Sequence, residues 1–169
     1  TELLVIPGGF SYGDYLRSGA IARFADIMDS VQEYAANGGK VLGICNGFQI
    51  LLEAGLLPGA MKRNDSLHFI SKYHTLKVIN TDNKFLSLMK RDEIVNIPVA
   101  HHDGNYYIDA NGLKELEDNN QILLKYCDKD GNLVNMNGSI SNIAGICNKQ
   151  KNVFGLMPHP ERAIETILG

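Results

Sequence analysis

The sequence predicts an α/β protein with a mixed, mostly parallel sheet, helices on its faces and an antiparallel extension. Two observations carry this prediction. In the first third of the chain, the apolar runs 3–6 and 41–45 are each followed by a helix-like segment, a repetition typical of parallel sheets. In the remainder, short strand-like runs alternate with turns, which favours antiparallel additions to the same sheet.

The elements follow from hydrophobic periodicity. A first helix is predicted over 16–36, where apolar side chains recur at spacings of three and four on one face: Ile21, Phe24, Met28, Val31 and Ala35. NGGK at 37–40 is a typical helix stop, and a second helix is predicted over 47–54. Strands are predicted within 74–80, 93–100, 105–108, 121–127, 141–147 and 151–158, and short helices at 84–90 and 111–118.

Composition narrows the class of protein. The 169 residues are 44% hydrophobic and 21% charged, with a formal net charge of −3, as in globular proteins. No basic block favours nucleic-acid binding. No apolar run approaches the roughly 20 residues that span a bilayer, and no signal peptide is visible, so we predict a cytoplasmic protein without a membrane or nucleic-acid partner. No repeat or linker divides residues 1–169, which predicts a single domain.

The three cysteines do not predict a disulfide framework or a metal site. Their number is odd, their spacings are wide, and no CxxC occurs. Cys127 and Cys147 stand at the ends of predicted strands, where buried, reduced thiols are the most frequent outcome.

Cys45 differs, because it lies where a predicted strand becomes a helix, in the stretch GICNG. A G-x-C-x-G sequence at such a corner has the form of a nucleophile elbow, and Gly43 and Gly47 avoid the clashes that larger neighbours would make. The positive end of the following helix dipole favours the thiolate form of cysteine. Spacing alone leaves a second interpretation equally open, a buried cysteine before a glycine turn.

The stretch MPHPE supplies a possible base. Two prolines restrict the chain to extended conformations, so His159 and Glu161 are predicted to lie side by side. A carboxylate in that position orients an imidazole and stabilises its charged form. Alone, the motif is more often a surface turn. Together with Cys45, it supplies the three residue types of a Cys-His-Glu triad.

The stretch PGGF ends the first predicted strand, and ligand sites of parallel sheets gather at that end. Its glycines let backbone amides approach a ligand closely. One such amide and the amide of Asn46 are predicted to form an oxyanion hole, although a PGG sequence alone is most often a turn.

In this order, the motifs resemble the class I (triad) glutamine amidotransferases, whose fold is flavodoxin-like. The longer blocks LVIPGGFSYGDYLRSGAIARF, VLGICNGFQILLEAGLLPGAM, NGSISNIAGICN and VFGLMPHPERA resemble the glutaminase subunits of phosphoribosylformylglycinamidine synthase, over nearly the whole chain. Chains of that family begin with a further strand–helix segment and end in a helical tail, so we expect this domain to lack both.

The resemblance implies specific roles. Cys45 is implied as the nucleophile, His159 as its base and acid, and Glu161 as the group that orients His159. The amides of Gly9 and Asn46 are implied to hold the oxyanion, and Gln49 to lie near the amino-acid end of bound glutamine. Ammonia would pass to a synthetase subunit that uses ATP and Mg, and a small accessory subunit would join the complex. No cofactor or metal is implied for this chain.

The sequence leaves the roles of several residues open. Asp14 and Arg17 are either a local ion pair or part of a rim that faces the synthetase. In relatives the loop VAHHDGNYY approaches the backbone of glutamine, so His101 and His102 are weak site candidates that are more often structural. The glutaminase of another amidotransferase complex, a cysteine-elbow hydrolase of similar fold and an inactive scaffold are the rival interpretations. The HxE pair and Gln49 argue against the hydrolase, and the full set of triad residues argues against the scaffold.

Overall fold

The computed structural model describes residues 2–10 and 17–164, and every structural statement refers to them. The strands are β1 (Leu4–Ile6), β2 (Val41–Ile44), β3 (Ala60–Lys62), β4 (Ile70–Val78), β5 (Ile94–His101), β6 (Asn105–Tyr107), β7 (Ile122–Cys127), β8 (Ile143–Cys147) and β9 (Val153–Leu156). The α-helices are α1 (Ile27–Ala36), α2 (Asn46–Glu53) and α3 (Ala110–Asp118). Short 3₁₀ turns occupy Ala22–Phe24, Ile140–Asn142 and Pro160–Arg162.

Seven of these strands form one mixed sheet in the order β1-β2-β9-β8-β7-β4-β5, and β3 pairs with β6 in a small separate ladder. Parallel pairing joins β1 to β2 and β2 to β9. This arrangement places the carboxyl ends of β1, β2 and β9 side by side at one edge of the sheet. The motifs that follow these three strands, PGGF, GICNG and MPHPE, therefore meet there.

The predicted class of fold is confirmed, but the sheet is not mostly parallel within the described residues. The pairs β8–β9, β7–β8, β4–β7 and β4–β5 are all antiparallel. A parallel neighbour needs a crossover of about a dozen residues or more, whereas β8 and β9 are joined by a short turn. The antiparallel part is consequently larger than the sequence pattern suggested.

Within the described residues, the predicted helix over 16–36 is wrong before Ile27. The α-helix starts only at Ile27, because Ala25 adopts extended backbone angles after the 3₁₀ turn. Phe24, expected on the buried face, is 70% exposed, whereas Met28, Val31 and Ala35 are buried as predicted. The Arg23 guanidinium, which covers the Phe24 ring, also donates to the carbonyl of Glu53 on α2.

The predicted helix at 84–90 is also absent. The Oδ1 atom of Asn83 accepts hydrogen bonds from the amides of Phe85 and Leu86 and so competes with helical bonding. The predicted helix at 111–118 is confirmed as α3, whose first turn is capped when Asp109 accepts from the amide of Gly112.

The core lies on both faces of the sheet. Helix α2 is its most deeply buried helix: every residue from Asn46 to Leu52 is buried. None of the helices in the described residues combines the length and the apolar character that crossing a bilayer requires.

Candidate active site

Cys45 occupies the turn between β2 and α2 in a strained conformation. Its backbone angles are φ 51° and ψ −106°, outside the regions that residues with a side chain normally adopt. Such a conformation costs about 1–3 kcal/mol and persists only where the surroundings enforce it. Here the amide of Cys45 donates to the carbonyl of Leu156, at 2.8 Å, which anchors the turn to β9. This is the geometry of a nucleophile elbow.

The flanking glycines are required by close backbone approach, as the sequence predicted. A Cβ on Gly47 would lie 2.0 Å from the carbonyl oxygen of Ile6 in β1. A Cβ on Gly43 would lie 2.7 Å from the carbonyl oxygen of Gly47 itself. Helix α2 can therefore begin immediately beside the ends of β1 and β2 only because both positions lack a side chain.

His159 and Glu161 lie side by side at the end of β9. The Nδ1 atom of His159 is 2.7 Å from Oε1 of Glu161, and the His159 amide donates to the carbonyl of Pro98 in β5. The prediction of adjacency is confirmed, although Glu161 reaches the ring from a 3₁₀ turn rather than from an extended segment. Because the carboxylate accepts at Nδ1, that nitrogen carries a proton, and in the neutral ring the lone pair belongs to Nε2.

Cys45 and His159 line the same cavity, whose volume is about 530 Å³. Gly8 lies between them: a Cβ built there would be 2.8 Å from Cε1 of His159 and 3.5 Å from Cβ of Cys45. The Cys45 thiol donates to the carbonyl of Ala100, at 3.6 Å. The Nε2 atom of His159 is buried and has no hydrogen-bond partner among the described residues. The arrangement brings an imidazole nitrogen without a partner among the described residues and a thiol to one cavity.

The other predicted site residues border this cavity or support it. Gly9, with φ 142°, and Gln49 both line it. The side chain of Gln49 accepts from Nδ2 of Asn46, at 2.8 Å, and donates to the carbonyl of Asp103, at 2.7 Å. Asn46 is the first residue of α2, so its backbone amide belongs to the positive end of that helix. The roles assigned to Gly9, Asn46 and Gln49 stay predictions.

Arg17 has a partner that the sequence did not indicate. It forms a bidentate ion pair with Glu53 at the end of α2. The Nε–Oε1 distance is 2.6 Å and the Nη2–Oε2 distance is 2.9 Å. This pair raises the pKa of Arg17, through its hydrogen bond to Glu53 first. Asp14, the predicted local partner, lies outside the described residues. Next to Arg17, Ser18 donates to the carboxylate of Asp103 at 3.1 Å.

The cavity also contains residues that the sequence left open or missed. His101 lines it and is 3% exposed, and burial lowers the pKa of its imidazole to about 4. His102 lines it too, but its ring nitrogens face Asp103 and the carbonyl of Leu67. Asn64, which contacts His101, carried no motif. It lies in the polar run 62–66, and residues of such runs are usually exposed.

The remaining cysteines are buried thiols, as predicted. Cys127 and Cys147 lie on β7 and β8 and have no exposed surface. Burial raises the pKa of both thiols, for Cys147 to about 11. No group of three or more metal-ligating side chains occurs in residues 2–10 and 17–164.

Comparison with known proteins agrees with this fold. The family described as the CobB/CobQ-like glutamine amidotransferase domain matches residues 1–168, and the chain belongs to that family. It is therefore a glutamine amidotransferase, an enzyme class whose members take nitrogen from the amide of glutamine.

Individual relatives narrow the resemblance. The chain is 71% identical to phosphoribosylformylglycinamidine synthase subunit PurQ of Sulfurimonas denitrificans, over 100% of this chain and 75% of the relative. It is 64% identical to the protein of the same name from Wolinella succinogenes, with the same coverage. Among solved structures, that of PurLQS from Thermotoga maritima has a TM-score of 0.87 and 44% identity, over 99% of this chain and 73% of the other.

Proposed function

We propose that this chain is the glutaminase subunit of a phosphoribosylformylglycinamidine synthase in purine biosynthesis. One observation carries the proposal: a strained cysteine elbow and a carboxylate-oriented histidine line one cavity. The chain that holds this cavity is 71% identical to a PurQ subunit over 100% of its own residues. The reaction is hydrolysis of glutamine to glutamate and ammonia.

The chemistry follows from the three side chains. Nε2 of His159 takes the thiol proton of Cys45, and the sulfur attacks the carboxamide carbon of glutamine. His159 then returns that proton to the amide nitrogen, the C–N bond breaks, and ammonia leaves a γ-glutamyl thioester. A water molecule, deprotonated by the same nitrogen, attacks the thioester carbon and releases glutamate and the Cys45 thiol. Glu161 keeps the imidazole in the required tautomer throughout.

The oxyanion that forms at each attack needs hydrogen-bond donors. The backbone amides of Gly9 and Asn46 are proposed for this role, because Gly9 lines the cavity and Asn46 starts α2 immediately after the nucleophile. Loss of one such donor typically lowers the rate by about 10²–10³-fold. Gln49, held between Asn46 and Asp103, is proposed to face the amino-acid end of glutamine.

Ammonia made here is proposed to pass to a synthetase subunit that converts formylglycinamide ribonucleotide into its amidine with ATP and Mg. The sequence contains no Walker-type phosphate loop, so the ATP chemistry is assigned to that partner. The exposed aromatic rings of Phe10 and Phe69 line the same cavity as Cys45, which favours a partner that covers its mouth. A small accessory subunit is proposed to complete the complex.

The division of labour is tested with Cys45→Ala in the assembled complex. We expect glutamine-dependent synthesis of the amidine to be abolished, because no thioester can form, while synthesis from added ammonium salts stays within about twofold of wild type, since ammonia bypasses the glutaminase step. Amidine formation with each nitrogen source is the measurement. Loss of both activities in a complex that still assembles would contradict the proposal.

A further inference from the structure

Asn64 is a fully buried residue that forms several hydrogen bonds beside the cavity. It lies in the segment that connects β3 to β4. Its Nδ2 atom donates to the carbonyls of His68 and His101, both at 2.9 Å. Its Oδ1 atom accepts from the amide of Gly104, at 3.1 Å, and lies 3.1 Å from Nδ1 of His101. The side chain thus joins the end of β5 to the loop that follows it.

These contacts determine which way round the Asn64 amide lies. The Gly104 amide can only donate, so the atom that faces it must be an oxygen. The two carbonyls can only accept, so the atom that faces them must be the NH₂ group. The same oxygen faces Nδ1 of His101, which must therefore carry a proton. The backbone, through Asn64, sets the tautomer of His101.

The consequence is an imidazole whose Nε2 is an acceptor. Burial is the largest influence on His101 and opposes its charge. A backbone hydrogen bond of His101 favours the charge, the neighbouring His159 opposes it and Asp103 favours it, and the pKa is lowered to about 4. The ring is neutral near pH 7, with Nδ1 protonated and Nε2 bearing a lone pair. That Nε2 is screened from solvent and has no hydrogen-bond partner among the described residues. A buried acceptor without a donor is unfavourable, so a ligand that supplies a donor is favoured.

We propose that Nε2 of His101 accepts a hydrogen bond from the carboxamide NH₂ group of bound glutamine, and that Asn64 is the positioning residue that keeps it an acceptor. The inference rests on the proposed function. His101 lines the cavity that contains Cys45 and His159, and Ala100, its neighbour on β5, is the residue whose carbonyl receives the Cys45 thiol.

This placement selects the carboxamide over the α-ammonium group, the other N–H donor of glutamine. Cys45 attacks the carboxamide carbon, which carries the NH₂ group, so this nitrogen must lie beside Cys45 and the strand that contacts its thiol. The α-ammonium stands three carbon atoms further along the ligand. Gln49 and Asp103, which also line the cavity, are proposed for that end.

The test compares glutamine with 6-diazo-5-oxonorleucine, which has the same amino-acid end but a diazoketone in place of the carboxamide and so lacks its N–H donors. The rate at which this compound labels Cys45 in the synthetase complex is measured by peptide mass, with and without glutamine as a protecting ligand. In His101→Asn, the new Nδ2 atom still donates to Asn64, and the Nε2 acceptor is lost. We expect labelling within about twofold of wild type, and half-protection at about tenfold more glutamine.

Two further variants make the outcome decisive. His68→Asn is the same change at an exposed histidine nearby and should leave both quantities unchanged. His101→Gln carries an amide oxygen towards the Nε2 position and should restore protection to within about threefold of wild type. This variant also serves if His101→Asn melts early in a thermal scan.

Each contrary result has a separate meaning. Three results would each overturn the role of His101. Protection by glutamine is unchanged in His101→Asn; labelling slows in that variant by the same factor by which protection is lost; or His101→Gln does not restore protection. An equal loss in particular would point to the α-ammonium or to a purely structural histidine. Wild-type Cys45 that is not labelled, or is not protected by glutamine, would instead overturn the proposed function itself.

Discussion

At the scale of single residues, the site depends on how each imidazole is oriented. His159 and His101 line one cavity, and each presents an Nε2 atom without a partner among the described residues. Their Nδ1 atoms face different acceptors, a carboxylate for His159 and an amide oxygen for His101. A carboxylate stabilises the protonated ring that a base forms during turnover, whereas a neutral amide does not. His159 is thereby suited to act as a base, and His101 is suited to accept a hydrogen bond as a neutral ring.

This difference predicts the effect of Glu161→Gln. The amide keeps the size of the side chain but no longer stabilises the imidazolium, so we expect kcat for glutamine hydrolysis to fall by about 10–100-fold, with KM within about twofold of wild type. Steady-state kinetics of glutamate release by the complex measure both constants. Glu115→Gln, at an exposed position on α3, is the matched control. A rise in KM with unchanged kcat would show that Glu161 acts in binding.

At the scale of elements, the β2–α2 corner depends on two backbones that nearly touch. The first turn of α2 passes so close to β1 that Gly47 has no room for a methyl group against the Ile6 carbonyl. The contact is with backbone, which cannot rotate away as a side chain can. The position of Cys45 at the cavity and the packing of α2 on the sheet therefore have the same cause.

Gly47→Ala is consequently expected to lower the free energy of unfolding by about 3 kcal/mol or more, because α2 must move away from β1. Gly38→Ala is the comparison: that glycine has φ 83° but open space around its Cβ position, so only the backbone penalty of about 1 kcal/mol applies. Urea unfolding monitored by circular dichroism gives both values. Equal losses in the two variants would mean that the close approach does not matter.

At the scale of the whole molecule, a buried asparagine joins distant parts of the chain. Nδ2 of Asn152, just before β9, donates to the carbonyls of Ala35 and Gly39, both at 2.8 Å. These carbonyls end α1 and the turn that leads into β2. The strand before His159 is thereby held to the strand before Cys45, and both motifs reach the same edge of the sheet in register.

Asn152→Ala should lower the free energy of unfolding by about 2–3 kcal/mol, because it removes two side-chain hydrogen bonds in a buried place, although the carbonyl of Ala35 still accepts from the amide of Gly38. Asn119→Ala removes a comparable side chain-to-carbonyl bond at an exposed position and is expected to cost less than about 0.5 kcal/mol. Urea denaturation of both variants is the measurement. A loss at Asn152 no larger than that at Asn119 would contradict this role.

The sequence by itself determined the local chemistry of this protein. The elbow at Cys45, the pairing of His159 with Glu161, the buried thiols and the strand–helix start depend on neighbours within a few residues, where spacing and glycine or proline positions act directly. The resemblance of long collinear blocks to a known family also indicated the enzyme class from the sequence. Such features need no knowledge of what packs against them.

Only the tertiary structure decided what depends on residues far apart in the chain. Ala25 breaks the predicted first helix in a segment that packs on α2, and Arg17 pairs with Glu53, 36 positions away. Asn64 and His101, 37 positions apart, come into contact only because the segment between β3 and β4 packs against the end of β5 beside the cavity. A hydrogen bond that sets a tautomer leaves no periodic trace in a sequence, because its partners are selected by the packing of the sheet.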